Sequence, residues 1–483
     1  MGTPNRMYVN AEWIGAGGGA EFEVRDPATG GVVGSVPDGG AAETRLALDA
    51  AAAAFPKWSG VPAKDRGVIL QRIGRGMESK RDDIARLIVQ ENGKPFEEAK
   101  KEVAFALGYF GWFAEESRRL GGQWVPSPMP GKRLWVFHQP VGPVAAITPW
   151  NFPSTMVTRK IAPALAAGCP VVLKPASATP LTALALAEVC HEAGLPAGVF
   201  NVVTSKRSSV VAEEILADAR IRKIGFTGST EVGKWIMERA ARQLKRLSFE
   251  LGGNAPFIVF DDADLEAAVE GAVAIKFLRV GGQSCICANR IYVQQGIAGR
   301  FIPAFTEAVK KLVVAPGFEP GAQVGPLINA QAREGVHALV EDAVRRGARV
   351  VAGGGPLTEG PLGRGYFYAP TVLLDVTDDM RVCREEIFGP VAPLATFASE
   401  DEVVRRANDT SFGLAAYFYT RDMARLVRVS ERLEYGLVGA NDAAGYTHEI
   451  PFGGFKESGL GREGGHEGLE EYMEVKSVVV NLG

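Results

Sequence analysis

Between residues 144 and 244 short apolar runs alternate with amphipathic stretches, and this alternation limits the fold more than any other feature of the chain. Pro170-Val171-Val172-Leu173-Lys174 reads as a buried strand, 181–193 as a helix stopped at Gly194, and 199–203 as a second strand. A helix over 210–216, a strand over 222–226 and a helix over 231–244 continue the pattern. Each strand must cross over a helix to reach its neighbour, so the strands are expected to pair in parallel, as in a Rossmann-like sheet. A second alternation follows Glu250. Strands are expected over 256–260, 371–376, 391–397 and 414–419. Helices are expected over 264–277, near 300–313, and over 329–347, 401–407 and 422–433. At 483 residues the chain exceeds one ordinary core, so two α/β units agree with its length.

What lies before and after these units reads differently. Residues 7–37 read as short strands and 41–120 as scaffold helices broken at Gly93-Lys94-Pro95. A Gly- and Pro-rich loop is expected over 121–131. Leu134-Trp135-Val136-Phe137 and Ser477-Val478-Val479-Val480 read as strands without a sequence neighbour. Apolar strands with open edges invite pairing, within the chain or between copies. The expected division is 1–122 with 143–251, then 252–450, with 123–142 and 470–483 as a small β arm.

Composition excludes several classes. A net charge of −3 offers nothing to nucleic acid or an anionic membrane. No apolar run reaches the ~18 residues of a membrane span. Residues 1–10 hold no apolar signal core, and the five cysteines are odd in number, so reduced thiols in a cytoplasm are expected. No cysteine or histidine spacing matches a zinc site, and no metal is expected.

The chemistry concentrates in three motifs. Gly281-Gly282-Gln283-Ser284-Cys285-Ile286-Cys287-Ala288-Asn289-Arg290 sets a thiol between a glycine bend and a strand. Glu250-Leu251-Gly252-Gly253 sets an acid before a glycine pair, and Thr148-Pro149-Trp150-Asn151-Phe152-Pro153 holds an amide between prolines. Together they supply a nucleophile, a base and an oxyanion donor. These ordered motifs resemble the aldehyde dehydrogenase superfamily over nearly the whole chain. The run from Cys285 to Arg290 most resembles its succinate-semialdehyde dehydrogenases.

The resemblance implies an α/β fold with a Rossmann-like cofactor domain, an α/β catalytic domain and a small β oligomerisation arm. It implies Cys285 as nucleophile, Asn151 as oxyanion donor and Glu250 as base. NADP or NAD is the implied cofactor. Trp150, Lys174, Pro175, Ala176 and Ser177 would line its adenosine ribose, with Gly228 and Ser229 at its pyrophosphate. Leu251 belongs to the same surface, Glu386 would hold the nicotinamide ribose, and Phe388 would flank the ring. The turn Phe226-Thr227-Gly228-Ser229-Thr230 also suits a phosphate on physical grounds, since N–H groups gather at a helix start, although Ser229 serves equally as a plain cap. Ser177 is uncharged and Lys174 cationic, so a 2′-phosphate should be tolerated.

Arg159 and Arg279 match the arginines that bind a distal carboxylate in that group, and guanidinium suits a carboxylate. With a helix starting at Phe152, Arg159 would lie two turns on, on the same face. Tyr446 and Thr447 would complete the substrate wall. Succinate semialdehyde is the expected substrate, with glutarate or 2-oxoglutarate semialdehyde as alternatives. Cys287 could form a reversible disulfide with Cys285 if the backbone bends. A homodimer or homotetramer is expected. Three stretches depart from the family pattern: 277–282 is one residue longer counted from the preceding helix, 204–207 lacks a glycine, and 443–448 replaces small and hydroxyl residues. A thiol hydrolase without dinucleotide is the alternative of a different class, and it would need a base such as His448 beside Cys285.

Overall fold

A computed structural model of the chain describes residues 5–443 and 446–483. Ala444 and Gly445, inside the divergent 443–448 loop, and the first four residues of the N-terminal stretch lie outside the described residues.

The first α/β unit is an eight-stranded sheet. Its centre is five parallel strands in the order Arg246–Glu250, Lys223–Thr227, Val144–Ile147, Val171–Lys174, Phe200–Val202. Met7–Val9 and Glu12–Ile14 extend one side antiparallel, and Gly459–Leu460 closes the other. The chain starts at the middle strand, moves one way to Phe200–Val202, then returns to the other side of Val144–Ile147. Loops leaving the carboxyl ends of strands diverge at such a reversal and open a crevice. The register brings Ile147, Lys174, Thr227 and Glu250 to that same edge.

The second unit is a seven-stranded sheet that holds Ala255–Val259 and Ala288–Gln294 side by side at its centre. Its strands are parallel except Arg349–Ala352, which pairs antiparallel with Thr371–Leu374. Each sheet carries its own apolar core, with Leu165, Leu173 and Phe110 in the first and Phe257, Ile291 and Tyr417 in the second. Burying each such side chain contributes roughly 1.5–3 kcal/mol before the entropy of ordering is counted. Among the described residues no helix is long and apolar enough to cross a membrane.

The two lone strands find each other. Met473–Asn481 pairs antiparallel with Lys132–Pro140 along its whole length. Gln123–Val125 adds a third strand inside the stretch expected to be a loop, because pairing with Leu134–Val136 outweighs its Gly- and Pro-rich surroundings. Three further strands escaped the sequence reading: Arg349–Ala352, Leu437–Ala440 and Gly459–Leu460. The helix expected over 231–244 ends at Ala240, and Leu244 turns left-handed at φ 50°.

The helix carrying Arg159 starts at Thr155, not Phe152. The Glu102 carboxylate accepts hydrogen bonds from the N–H groups of Ser154 (2.8 Å) and Thr155 (3.2 Å), and this fixes the start. Arg159 therefore sits one turn into the helix, and the expected face shared with Phe152 does not apply. Every residue of Thr155–Ala167 is buried, between the sheet and the helix Phe96–Glu116. Its two cations, Arg159 and Lys160, meet the Glu463 carboxylate there.

Candidate active site

The thiol sits on a turn with no spare volume. After the helix Leu265–Phe277, Val280, Gly281 and Gly282 are left-handed in succession, at φ 49°, 59° and 81°. Val280 is a poor residue for that region, and its N–H is held by the Glu98 carboxylate at 2.7 Å. A Cβ on Gly282 would stand 2.3 Å from the Gly389 carbonyl oxygen, so only glycine fits. Gln283 then locks the turn, donating to the carbonyls of Val280 (2.8 Å) and Pro326 (3.2 Å) and accepting from the Ile328 N–H (2.9 Å). Cys285 emerges partly exposed, whereas Cys169, Cys190, Cys287 and Cys383 are buried, and all five are free.

The Thr148–Ser154 loop comes from the other sheet. Asn151 is buried and donates its amide to the Gln283 carbonyl at 3.0 Å, tying the two loops together. Its Nδ2 carries two donors, which leaves one for a ligand. Lys94 holds the Asn151 carbonyl at 2.8 Å and pairs with Glu102 at 2.5 Å, both ends fully enclosed.

A cavity of about 300 Å³ lies between these loops. Trp150, Asn151, Gly228, Ser229, Leu251, Cys285, Glu386 and Phe388 all line it. Glu386 accepts from the Gly253 N–H at 3.0 Å, and Phe388 meets Trp150 edge to face at 5.6 Å. Ser229 caps its helix, its oxygen accepting from the Val232 N–H at 3.4 Å. Lys174, Pro175, Ala176 and Ser177 stand one strand away from the cavity lining, with Lys174 in register with Ile147. The Lys174 ammonium donates to the Ser208 hydroxyl at 2.6 Å.

Glu250 ends its strand in register with Thr227, one residue before the lining residues Leu251 and Gly252. It is buried, and its Oε2 has no partner. A Cβ on Gly253 would meet the Cys285 carbonyl oxygen at 2.0 Å, which explains the glycine beside the acid.

Burial governs the protonation of this site. It pushes the Cys285 thiol up to about 12, with Arg159 and Arg279 pulling the other way and Glu386 and Glu250 adding to the rise. Burial and the nearby Glu463 charge raise Glu250 well above the usual carboxylate range, against Arg159 and Lys160. Glu386 is raised to about 7, again by burial. Burial lowers Lys174 to about 8.

The two arginines take different positions. Arg159 is enclosed, with its Nε 2.7 Å from Glu463 and its guanidinium 4.3 Å above the Phe452 ring. Its Nη1 has no partner. Arg279 lies half-buried with the Tyr446 hydroxyl at 3.4 Å, lining a second cavity of about 230 Å³. Thr447 is exposed. His448 stacks on Phe105 at 4.3 Å and bonds its carbonyl at 2.7 Å, so it does not serve as a base for Cys285. The Cys287 sulfur is buried against the Lys276 ammonium at 3.4 Å. Gln283 stood next to the thiol in sequence and was legible as a neighbour. Glu98, Lys94, Glu102 and Glu463 were not, since nothing local marks a side chain that reaches across the fold.

The aldehyde dehydrogenase family model matches residues 13–478. The chain belongs to the aldehyde dehydrogenase family. It is 51% identical over 477 residues to glutarate-semialdehyde dehydrogenase of Pseudomonas putida, which covers 99% of this chain and 98% of that protein. It is equally 51% identical to succinate-semialdehyde dehydrogenase [NADP(+)] of Escherichia coli, with the same coverage of both. A crystal structure of an Escherichia coli NADP-dependent enzyme superposes with a TM-score of 0.97 at 50% identity, covering 99% of this chain and 98% of that one.

Proposed function

We propose that this aldehyde dehydrogenase oxidises a short aldehyde with a terminal carboxylate, succinate semialdehyde first, using NADP or NAD. Glutarate and 2-oxoglutarate semialdehyde are the alternatives. The observation that carries the substrate reading is the pair of guanidinium groups around the thiol. Arg159 and Arg279 both pull on the Cys285 ionisation, and a buried Arg159 nitrogen lacks a partner. A substrate carboxylate supplies that partner. The names of the relatives support the same class, since both act on dicarboxylic semialdehydes.

The cavity fits a dinucleotide head. Gly252 lines it, where a Cβ would crowd a Glu386 carboxylate oxygen at 2.8 Å, and Ser229 at a helix start lines it too. Trp150, Glu386, Phe388, Gly228, Ser229 and Leu251 would hold the cofactor, with Lys174 to Ser177 at its ribose. When bound, the nicotinamide accepts the aldehyde's hydride.

The residues of the chain do the rest. The Cys285 sulfur attacks the aldehyde carbon and forms a thiohemiacetal. Asn151 and the Cys285 N–H donate to its oxygen. Loss of hydride leaves a thioester on Cys285. Glu250 takes a proton from water, whose oxygen attacks that thioester, and Cys285 leaves as the free sulfur while the acid departs. Burial favours the neutral form of both groups, so the Cys285 thiol proton passes to solvent before the sulfur attacks, and Glu250 acts as base in its ionised form.

The experiment follows reduced cofactor with succinate semialdehyde and butanal. Arg159→Ala should lose about one to two decades more of kcat/KM on succinate semialdehyde than on butanal, or roughly 1.5–3 kcal/mol. Equal loss on both would remove the carboxylate pocket. Assembly as a homodimer or homotetramer in a cytoplasm completes the proposal. It is supported by apolar side chains on the three-stranded sheet, where Trp124 is 64% and Val475 65% exposed. Cys287 is proposed as a redox partner of Cys285. Peroxide would take both thiol hydrogens as two waters form, leaving a disulfide.

A further inference from the structure

One face of the helix Phe96–Glu116 reaches both halves of the site. Lys94, Glu98 and Glu102 follow at intervals of four residues, so their side chains stack on that face and on the turn before it. Glu102 binds the N–H groups of Ser154 and Thr155, and Lys94 binds the Asn151 carbonyl, so this end grips the oxyanion loop. Glu98 reaches the opposite way. Its Oε1 accepts from the Val280 N–H at 2.7 Å, and its Oε2 is buried with no partner. Val280 is the one non-glycine of the three left-handed residues that aim the thiol, and Arg279 is its neighbour. A β-branched residue leaves that conformation readily unless something holds it. The Glu98 carboxylate, together with the two bonds from Gln283 to Val280 and Pro326, is what holds it.

We propose that Glu98 is a positioning residue that latches the thiol turn, fixing Cys285 and Arg279 against the Asn151 loop that Lys94 and Glu102 hold from the same helix. Glu98 touches neither the thiol nor the aldehyde; it acts through the Val280 amide. The part that concerns Arg279 rests on the carboxylate reading given above.

Alkylation of Cys285 tests the latch without cofactor or turnover. The sulfur displaces iodide, an S–C bond forms as the C–I bond breaks, and the thiol proton passes to buffer. Cys285 is the one cysteine that is partly exposed, and peptide mapping confirms the site of reaction. Iodoacetamide, the neutral reagent, reads the turn alone, and iodoacetate reads the turn and the arginines. In Glu98→Ala the neutral rate should change by about tenfold, as expected for loss of one hydrogen bond. Glu98→Gln keeps an oxygen acceptor for the Val280 N–H and should react like the parent. The iodoacetate-to-iodoacetamide ratio should also fall in Glu98→Ala as Arg279 shifts. A neutral rate in Glu98→Ala equal to the parent's overturns the latch, and so does a Glu98→Gln rate as altered as that of Glu98→Ala. If Glu98→Ala does not fold, Glu98→Asp withdraws the oxygen by one methylene and must show the same change. A parent enzyme with no preference for iodoacetate sinks the arginine reading by itself, and the neutral rate still decides Glu98.

Discussion

Glu250 shows what burial asks of a single residue. Burial and the nearby Glu463 charge raise its carboxyl well above the usual carboxylate range. In the reaction proposed above it acts late, after hydride has left. Glu250→Gln should therefore give one rapid turnover of reduced cofactor and then a slow steady state, because the thioester forms but is not hydrolysed. Rapid mixing resolves the two phases. A variant that turns over like the parent would remove Glu250 as the base. Cys285, Asn151 and Glu250 stood out in sequence because each lies within three residues of a glycine or proline that constrains the chain. The partners of Arg159 were not legible. Glu463 lies hundreds of residues downstream, and no local pattern connects an isolated acid to a helix it meets only in the fold.

At the scale of elements, the thiol turn and the strand after it set the redox behaviour. Cys287 opens no path to Cys285 while the turn is intact. The Cys287 N–H bonds the Ser284 carbonyl at 3.0 Å, and its sulfur rests on Lys276 and the Lys276 carbonyl. A bridge between the two thiols requires that bond to break and the sulfur to swing out. Peroxide should thus inactivate the enzyme slowly, and dithiothreitol should restore it. Cys287→Ala should be lost to peroxide without that recovery. Reversal that persists unchanged in the variant would assign it to another group. Strands and helices with strong periodicity were readable to within a few residues, as Val391–Phe397 was. Gln123–Val125 and Gly459–Leu460 were not, because they are strands only by virtue of the neighbour they pair with. The start of the Arg159 helix failed for a related reason: its cap is a side chain from another helix.

For the whole molecule, the sequence reading expects two alternating units and a separate β arm, and the described chain forms sheets of eight, seven, three and two strands. Gly459–Leu460, in a stretch assigned to none of those divisions, pairs at the edge of the eight-stranded sheet. The three-stranded sheet leaves Val475, Val479 and Trp124 open to solvent. A charge there should cost association and little else. Val475→Asp should shift the mass seen in sedimentation toward a smaller species, with the monomer fold retained by circular dichroism. An unchanged mass would place the contact between copies on another face.

The packing of Gly253 against the Cys285 carbonyl, and of Gly282 against that of Gly389, has a practical consequence for anyone who wishes to retune this enzyme. Those two places have no room for even a methyl group, so both glycines must be kept in any redesign. The separate hollow lined by Arg279, Tyr446, Ala443 and Leu437 offers side chains that can be exchanged. A library aimed at longer or differently charged aldehydes belongs there, where diversity is affordable and the machinery for acyl transfer stays untouched.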